Sequence, residues 1–227
     1  VKKWMESNRP NIVIIAAAKV GGIEANRLFP TSFLLDNLTI QNNLMKISEE
    51  IKVKRLLFLG SSCIYPKSSK QPISEEFLMS GYLEETNESY AIAKIAGIQL
   101  CKSLRKEKNL DTICLMPTNL YGPGDNYHPI NSHVLPSLIR KFVEGKRKNL
   151  KSVTCWGSGN PLREFLYVED LAEACLFSLE KWNPSDKDAP RDSQNNKLYW
   201  LNVGSEYEIS IKDLAKKISK LTDFKGE

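Results

Sequence analysis

Apolar residues follow two rhythms along this chain: short unbroken runs that close on small residues, and longer stretches recurring every three or four positions. Asn11 to Ala17 is an Ile/Val run ending in alanines, the signature of a strand in a parallel sheet covered on both faces. Arg55 to Gly60 and Asp111 to Pro117 read the same way. Between them the period lengthens. Phe33, Leu34, Leu38, Leu44 and Ile47 recur at helical spacing, with Thr31 or Ser32 as the expected cap and Asp36 in the favourable first turn. Glu88 to about Lys108 is a second such helix, and Lys2 to Ser7 a short one before the first strand. Strand, helix, strand, helix, strand predicts right-handed crossovers and a doubly wound, mostly parallel α/β sheet of Rossmann type.

After Pro117 the rhythm breaks. A Gly/Pro/Asn-rich stretch from Asn119 to Asn131 predicts a long loop, and long loops beside such sheets are often functional. Ser132 to Lys146 then reads as helix, Ser152 to Trp156 as a short strand, and Phe165 to Val168 as a strand leading into a helix over Glu169 to Lys181. A polar segment from Asn183 to Asn196 predicts a loop and Leu198 to Val203 a strand. Ser210 is placed to cap a last helix lined by Ile211, Leu214, Ile218 and Leu221. No internal repeat or low-complexity segment interrupts this order. The division expected is a cofactor domain of residues 1–121 with 164–204, and a smaller α+β substrate domain of residues 122–163 with 205–227. A sheet of this kind normally opens on a strand, a glycine-rich turn and a helix that receives a pyrophosphate. No G-x-G-x-x-G turn occurs. The first βαβ region is therefore expected to be missing, and the chain to be cut at both ends.

Composition narrows the class without naming the chemistry. The 227 residues are 41% hydrophobic and 26% charged, which excludes a disordered chain. The longest apolar run, Ile12 to Ala18, is seven residues and is followed by Lys19, far short of the about 20 that cross a bilayer. Five cysteines without a C-x-x-C pair suit neither a disulfide framework nor a zinc knuckle, so a reducing, cytoplasmic setting is expected. The formal charge of +5 is compatible with an anionic nucleotide. The basic cluster from Glu144 to Lys151 reads as a solvated helix end, so no nucleic-acid partner is expected. His128 and His133 lie five residues apart, a spacing that matches no common metal motif, and no metal site is expected.

The chemistry gathers around one helix and one strand end. Tyr90 and Lys94 stand at i and i+4 on the predicted helix, so phenol and ammonium share a face. A lysine there lowers the phenol's pKa and makes it a proton donor to a carbonyl being reduced. Gly60-Ser61-Ser62-Cys63-Ile64-Tyr65-Pro66 follows a buried strand, placing Ser61 at the carboxyl edge where ligands bind in open α/β sheets. Ser61 either meets a substrate carbonyl or satisfies loop backbone. A lone cysteine such as Cys63 is ordinarily a small buried hydrophobe, and a lone histidine such as His133 is ordinarily structural.

Together Ser61, Tyr90 and Lys94 resemble the Ser/Tyr/Lys triad of extended, sugar-nucleotide-modifying short-chain dehydrogenases. The likeness narrows. Ala16-Ala17-Ala18-Lys19-Val20-Gly21-Gly22, the turn through Cys63, Asn87-Glu88-Ser89-Tyr90-Ala91-Ile92-Ala93-Lys94, Pro117-Thr118-Asn119-Leu120-Tyr121-Gly122-Pro123, Asn131-Ser132-His133-Val134 and Trp156-Gly157-Ser158-Gly159 resemble, in order, the GDP-L-fucose synthase family. The resemblance implies that GDP-4-keto-6-deoxy-D-mannose is epimerised at C3 and C5 and then reduced at C4 with NADP(H). Cys63 would be the epimerising base and His133 the acid, because inverting a carbon beside a ketone needs one group to take a proton and another to return one. Tyr90 would protonate the C4 oxygen, Lys94 would hold the nicotinamide ribose, and Ser61 would orient the ketone. The cofactor would lie against Leu59, Gly60, Ser61, Ser62, Lys94, Pro117, Thr118, Asn119, Leu120 and His133, and the GDP-sugar against Lys141, Trp156 and Arg163. The family further implies a homodimer. Two rivals stay open: another sugar-nucleotide 4-epimerase or dehydratase that needs neither Cys63 nor His133, and a non-catalytic sugar-nucleotide-binding remnant.

Overall fold

The computed structural model describes residues 1–226. In chain order the elements are α1 (Lys2–Asn8), β1 (Ile12–Ile15), α2 (Ile23–Leu28), α3 (Pro30–Glu50), β2 (Arg55–Leu59), α4 (Glu88–Lys108), β3 (Asp111–Pro117), β4 (Asn119–Tyr121), α5 (Val134–Arg147), β5 (Leu162–Tyr167), α6 (Val168–Lys181), β6 (Trp200–Val203), β7 (Glu208–Ser210) and α7 (Ile211–Thr222). Four strands form an all-parallel sheet in the order β1-β2-β3-β6. A second sheet has the order β4-β5-β7, its first pair parallel and its second antiparallel. Among the described residues, no helix is long and apolar enough to cross a membrane.

Strand pleat explains why β2 and β3 are apolar at nearly every position. Leu56 and Phe58 of β2, with Cys114 and Met116 of β3, point into one cluster completed by Met45 of α3 and by Ile98 and Cys101 of α4. Leu57, Ile113 and Leu115 point the other way, onto Leu171, Cys175 and Leu179 of α6. Helices therefore lie on both faces, as the unbroken apolar runs require. A third cluster joins Leu138 and Phe142 of α5 to Leu214 and Ile218 of α7, with Val153 and Cys155 beside them. At the amino edge of the sheet Arg55 pairs with Asp111 at 3.1 Å and also donates to the Leu179 and Trp182 carbonyls, tying the end of α6 to the strands.

Several expectations need correction. The first strand is only Ile12–Ile15, and it is not covered on both faces. Val13 and Ile15 join the α3/α4 cluster, whereas Ile12 and Ile14 remain 50% and 44% exposed, because among the described residues no helix lies over that side of the sheet's edge strand. Neither Thr31 nor Ser32 caps α3. The helix starts at Pro30, whose fixed φ suits a first turn, and the Ser32 hydroxyl instead donates to Asp36. The loop expected from Asn119 opens with β4, and Ser152 to Trp156 forms no strand: Val153 and Cys155 pack by side chain without a backbone ladder. Strand β5 begins at Leu162, earlier than expected, and β6 at Trp200, later. Ser210 does cap α7, accepting from the Asp213 N–H at 3.0 Å, but Leu221 is 77% exposed and does not line its buried face.

The close approach of α4 to β2 is a glycine contact. A Cβ on Gly97 would stand 2.5 Å from the Phe58 ring and 3.0 Å from Gln41 Oε1. Gly97→Val is therefore expected to lower unfolding free energy by about 3 kcal/mol, an overpacking cost larger than any gain in helix propensity. Urea unfolding followed by far-UV circular dichroism measures it.

Candidate active site

The carboxyl end of β2 turns sharply because Gly60 has no side chain to obstruct it. A Cβ there would meet the Met116 sulfur at 2.2 Å, and the Gly60 N–H donates to the Leu115 carbonyl at 2.9 Å. Ser61 is extended and caps a single helical turn, Ser62–Ile64, its hydroxyl accepting from the Cys63 N–H at 3.3 Å. Tyr65 then locks the turn by donating to Asn202 Oδ1 at 2.6 Å. Both readings of Ser61 are thus compatible with its geometry: one lone pair serves the backbone and the hydroxyl still faces the Tyr90 phenol.

Helix α4 brings the phenol and ammonium to this turn. Its small residues Ala91, Ala93 and Gly97 let it lie close to its neighbours, and Gln41 of α3 donates to the Ala93 carbonyl at 2.8 Å. Lys94 is 3% exposed. Its Nζ donates to the Leu59 carbonyl at 2.9 Å and stands 4.9 Å from the Phe58 ring and 5.8 Å from the Tyr90 ring. Burial without a carboxylate partner lowers the Lys94 pKa to about 8. Tyr90 meets Phe33 edge-on, with centroids 6.3 Å apart.

Electrostatic couplings connect several of these groups. Burial raises the Tyr90 phenol's pKa; proximity to Cys63 adds to that, and the Ser61 hydroxyl opposes it. Burial likewise raises the Cys63 thiol, while the Ser61 hydroxyl and the Arg163 guanidinium pull it down and Glu84 pushes it up. Ser61, Cys63, Tyr90, Lys94 and Arg163 therefore form one neighbourhood. Glu84 belongs to it too, and no sequence pattern pointed to that residue.

His133 stands on a different segment, as the residue preceding α5, and the couplings of Cys63, Tyr90 and Lys94 do not include it. Its loop lies against the turn after β1: the Gly22 N–H donates to the Asn131 carbonyl at 3.4 Å, and a Cβ on Gly22 would meet the Ser132 carbonyl oxygen at 2.6 Å. Surrounding protein lowers the imidazole's pKa although part of the residue faces solvent, and Asp125 opposes that shift. Asp125, like Glu84, acts across space from a loop and left no periodic signal.

The remaining predicted residues are spread more widely. Thr118 donates its N–H to the Val203 carbonyl at 3.1 Å, while its buried hydroxyl has no partner among the described residues. Asn119 Nδ2 donates to the Glu164 carbonyl at 2.9 Å. Pro117 is buried at the end of β3, and Leu120 packs beside the α6 cluster. Lys141 sits 4.8 Å above the Trp156 ring and donates to the Thr154 carbonyl at 2.9 Å, and that ring is 73% exposed. Lys141 and Trp156 thus pair with each other, whereas Arg163 is electrostatically tied to Cys63. A separate concavity of about 690 Å³, bordered by Glu76–Leu78, Lys102 and the 192–200 segment, contains none of these residues.

A strand-end serine with a Tyr and Lys one helical turn apart is shared by a wide group of enzymes, and comparison narrows it. Residues 1–190 match the model of the NAD dependent epimerase/dehydratase family. The chain belongs to that family. Within this epimerase/dehydratase family it is 48% identical over 227 residues to GDP-L-fucose synthase 1 of Arabidopsis thaliana, covering all of this chain and 66% of that protein. It is 46% identical over 226 residues to GDP-L-fucose synthase of Escherichia coli (strain K12), covering all of this chain and 69% of that protein. The chain spans 62–66% of the length of the plant relatives it matches. Its fold superimposes with a TM-score of 0.86, at 32% identity, on MlghC, a GDP-mannoheptose C4 reductase from Campylobacter jejuni with NADP bound, covering all of this chain and 71% of that one.

The buried Lys94 ammonium makes a prediction with a definite sign. Its pKa falls from 10.5 unfolded to about 8 folded, so folding disfavours the charged form, a cost of roughly 3 kcal/mol. That cost is full below pH 8 and is relieved as pH rises toward 10.5, because the unfolded chain binds more protons in that window. Lys94→Met removes it and leaves the Leu59 carbonyl without its donor, a loss of about 1–2 kcal/mol. The variant is expected to be more stable than the parent by about 1–2 kcal/mol at pH 7 and less stable near pH 10.5. Thermal melts across that range check the crossing.

Proposed function

We propose that this chain carries the catalytic centre of a GDP-L-fucose synthase: 3,5-epimerisation of GDP-4-keto-6-deoxy-D-mannose followed by NADPH-dependent reduction at C4. The observation that carries the reading is the grouping of a thiol, a hydroxyl and a phenol at Cys63, Ser61 and Tyr90 beside the Lys94 ammonium. A 4-epimerase of the same fold has use for the phenol and the ammonium but none for a thiol electrostatically coupled to that phenol. Relatives named as GDP-L-fucose synthases at 46–49% identity over the length of this chain support the same substrate.

The chain's own groups fit NADP(H). Lys94 spends one N–H on Leu59 and has two more for ribose hydroxyls, and the unpartnered Thr118 hydroxyl waits at the same strand edge. Leu59, Gly60, Ser61, Ser62, Pro117, Asn119 and Leu120 would line the rest of that edge, with His133 closing it. The bound nicotinamide supplies the hydride for C4. Residues 1–121 with 164–204 would serve the nucleotide cofactor, and residues 122–163 with 205–227 the sugar nucleotide.

In the epimerisation, Cys63 takes the proton from C3 or C5, acidified by the adjacent ketone, and the enolate's charge falls on the C4 oxygen near Ser61 and Tyr90. His133 returns a proton to the opposite face. Burial keeps thiol and imidazole toward their neutral forms, so the Ser61 hydroxyl and the Arg163 guanidinium, which favour the thiolate, ready Cys63. In the reduction, Tyr90 gives its proton to the C4 oxygen, helped by the Lys94 charge. Lys141, Trp156 and Arg163 offer cations and an exposed ring suited to the GDP portion.

In the full-length protein, Cys63→Ser is expected to abolish solvent-deuterium uptake at C3 and C5 while NADPH affinity stays unchanged. Mass spectrometry of the recovered sugar nucleotide reads the first and fluorescence titration the second. Uptake at the parent rate in the serine variant would remove Cys63 from the reaction.

A further inference from the structure

The loop that delivers His133 is poorly buried, so something other than packing must hold it. Between β4 and α5 the chain runs from residue 122 to 133 without helix or strand, and Asn126–Ile130 are exposed. Its hydrogen bonds converge on one side chain. Nδ1 of His128 accepts from the Ile130 N–H and the Asn131 N–H, both at 3.2 Å. The His128 carbonyl accepts from the Ser132 N–H at 3.3 Å, and Asn126 Oδ1 accepts from the His128 N–H at 2.9 Å. The turn closed in this way presents the Asn131 carbonyl to the Gly22 N–H and sets the Ser132 carbonyl where a Cβ on Gly22 would collide with it. His133 is the next residue.

A ring nitrogen facing two N–H donors must offer its lone pair, so His128 carries its proton on Nε2. We infer that His128 is a positioning residue: its Nδ1 lone pair closes the 128–132 turn against Gly21 and Gly22 and so fixes the place of the His133 imidazole. His128 itself touches neither sugar nor cofactor. The inference deepens the function proposed above and rests on it for the role of His133 as the acid. Asparagine is the informative replacement, since its side-chain oxygen accepts from backbone N–H groups one or two residues ahead, whereas alanine accepts from none.

The test has two arms. The chain contains two histidines, so ¹⁵N-labelled imidazole spectra resolve both, and His128→Asn assigns them. An Nε2–H tautomer for His128, with His133 signals displaced in His128→Ala and restored in His128→Asn, supports the inference. An Nδ1–H tautomer, or His133 signals unmoved in the alanine variant, overturns it. In the full-length protein, His128→Ala should slow deuterium uptake about tenfold or more, as misplacing a catalytic group does, and His128→Asn should recover most of it. At saturating NADPH, which offsets any loss of the His133 contact at the cofactor edge, oxidation by the already epimerised 4-keto sugar should stay within about twofold of the parent, because misplacement penalises only the step whose reacting group has moved. Equal losses in both steps, or an asparagine variant no better than alanine, would overturn the inference. If the parent protein takes up no deuterium at all, the proposed function fails instead, and the spectra alone decide the place of His128.

Discussion

The ammonium of Lys94, held by the Leu59 carbonyl inside the sheet edge, is the contact around which the rest is arranged. It joins the last residue of β2 to the second turn of α4, and so fixes how far the phenol of Tyr90 stands from the turn that follows the strand. The arrangement is reachable only because α4 lies unusually near the sheet, with Gly97 on Phe58 and Gln41 fastened to the Ala93 carbonyl. Stability is sacrificed there. A charge with no carboxylate partner among the described residues is kept in a dry place, where its value to the fold is negative.

Burial pushes the neighbouring groups in one direction. Cys63 and Tyr90 are held toward protonated forms and His133 toward the neutral imidazole. Cys63 and His133 stand on separate supports, one on the sheet edge and one on a loop.

The sheet was legible where burial alone decides structure. β2 and β3 carry unbroken apolar runs because both faces are covered, and α4 announces itself by its period. β4 and β7 were not legible, since three-residue strands exist by virtue of their partners and not of their own composition. The Val153 and Cys155 alternation misled for a related reason: alternate side chains do enter a core there, but the backbone has no strand beside it. The candidate site followed the same division. Ser61, Tyr90 and Lys94 were visible because a strand end and one helical turn fix their mutual geometry, and Cys63 and His133 became visible only through family resemblance. Glu84 and Asp125 act from irregular segments, and the anchoring role of His128 depends on where two backbone N–H groups point.

The meeting of Gly21 and Gly22 with Asn131 and Ser132 has a consequence for how this site can diversify. Two segments roughly a hundred positions apart touch through bare main chain, so their spacing is fixed by the thickness of a peptide and not by any side chain that mutation could trim or enlarge. Side chains elsewhere can be exchanged without disturbing this contact. The joint itself tolerates no such adjustment, and any descendant that abandons glycine there must hold the His133 loop in another way.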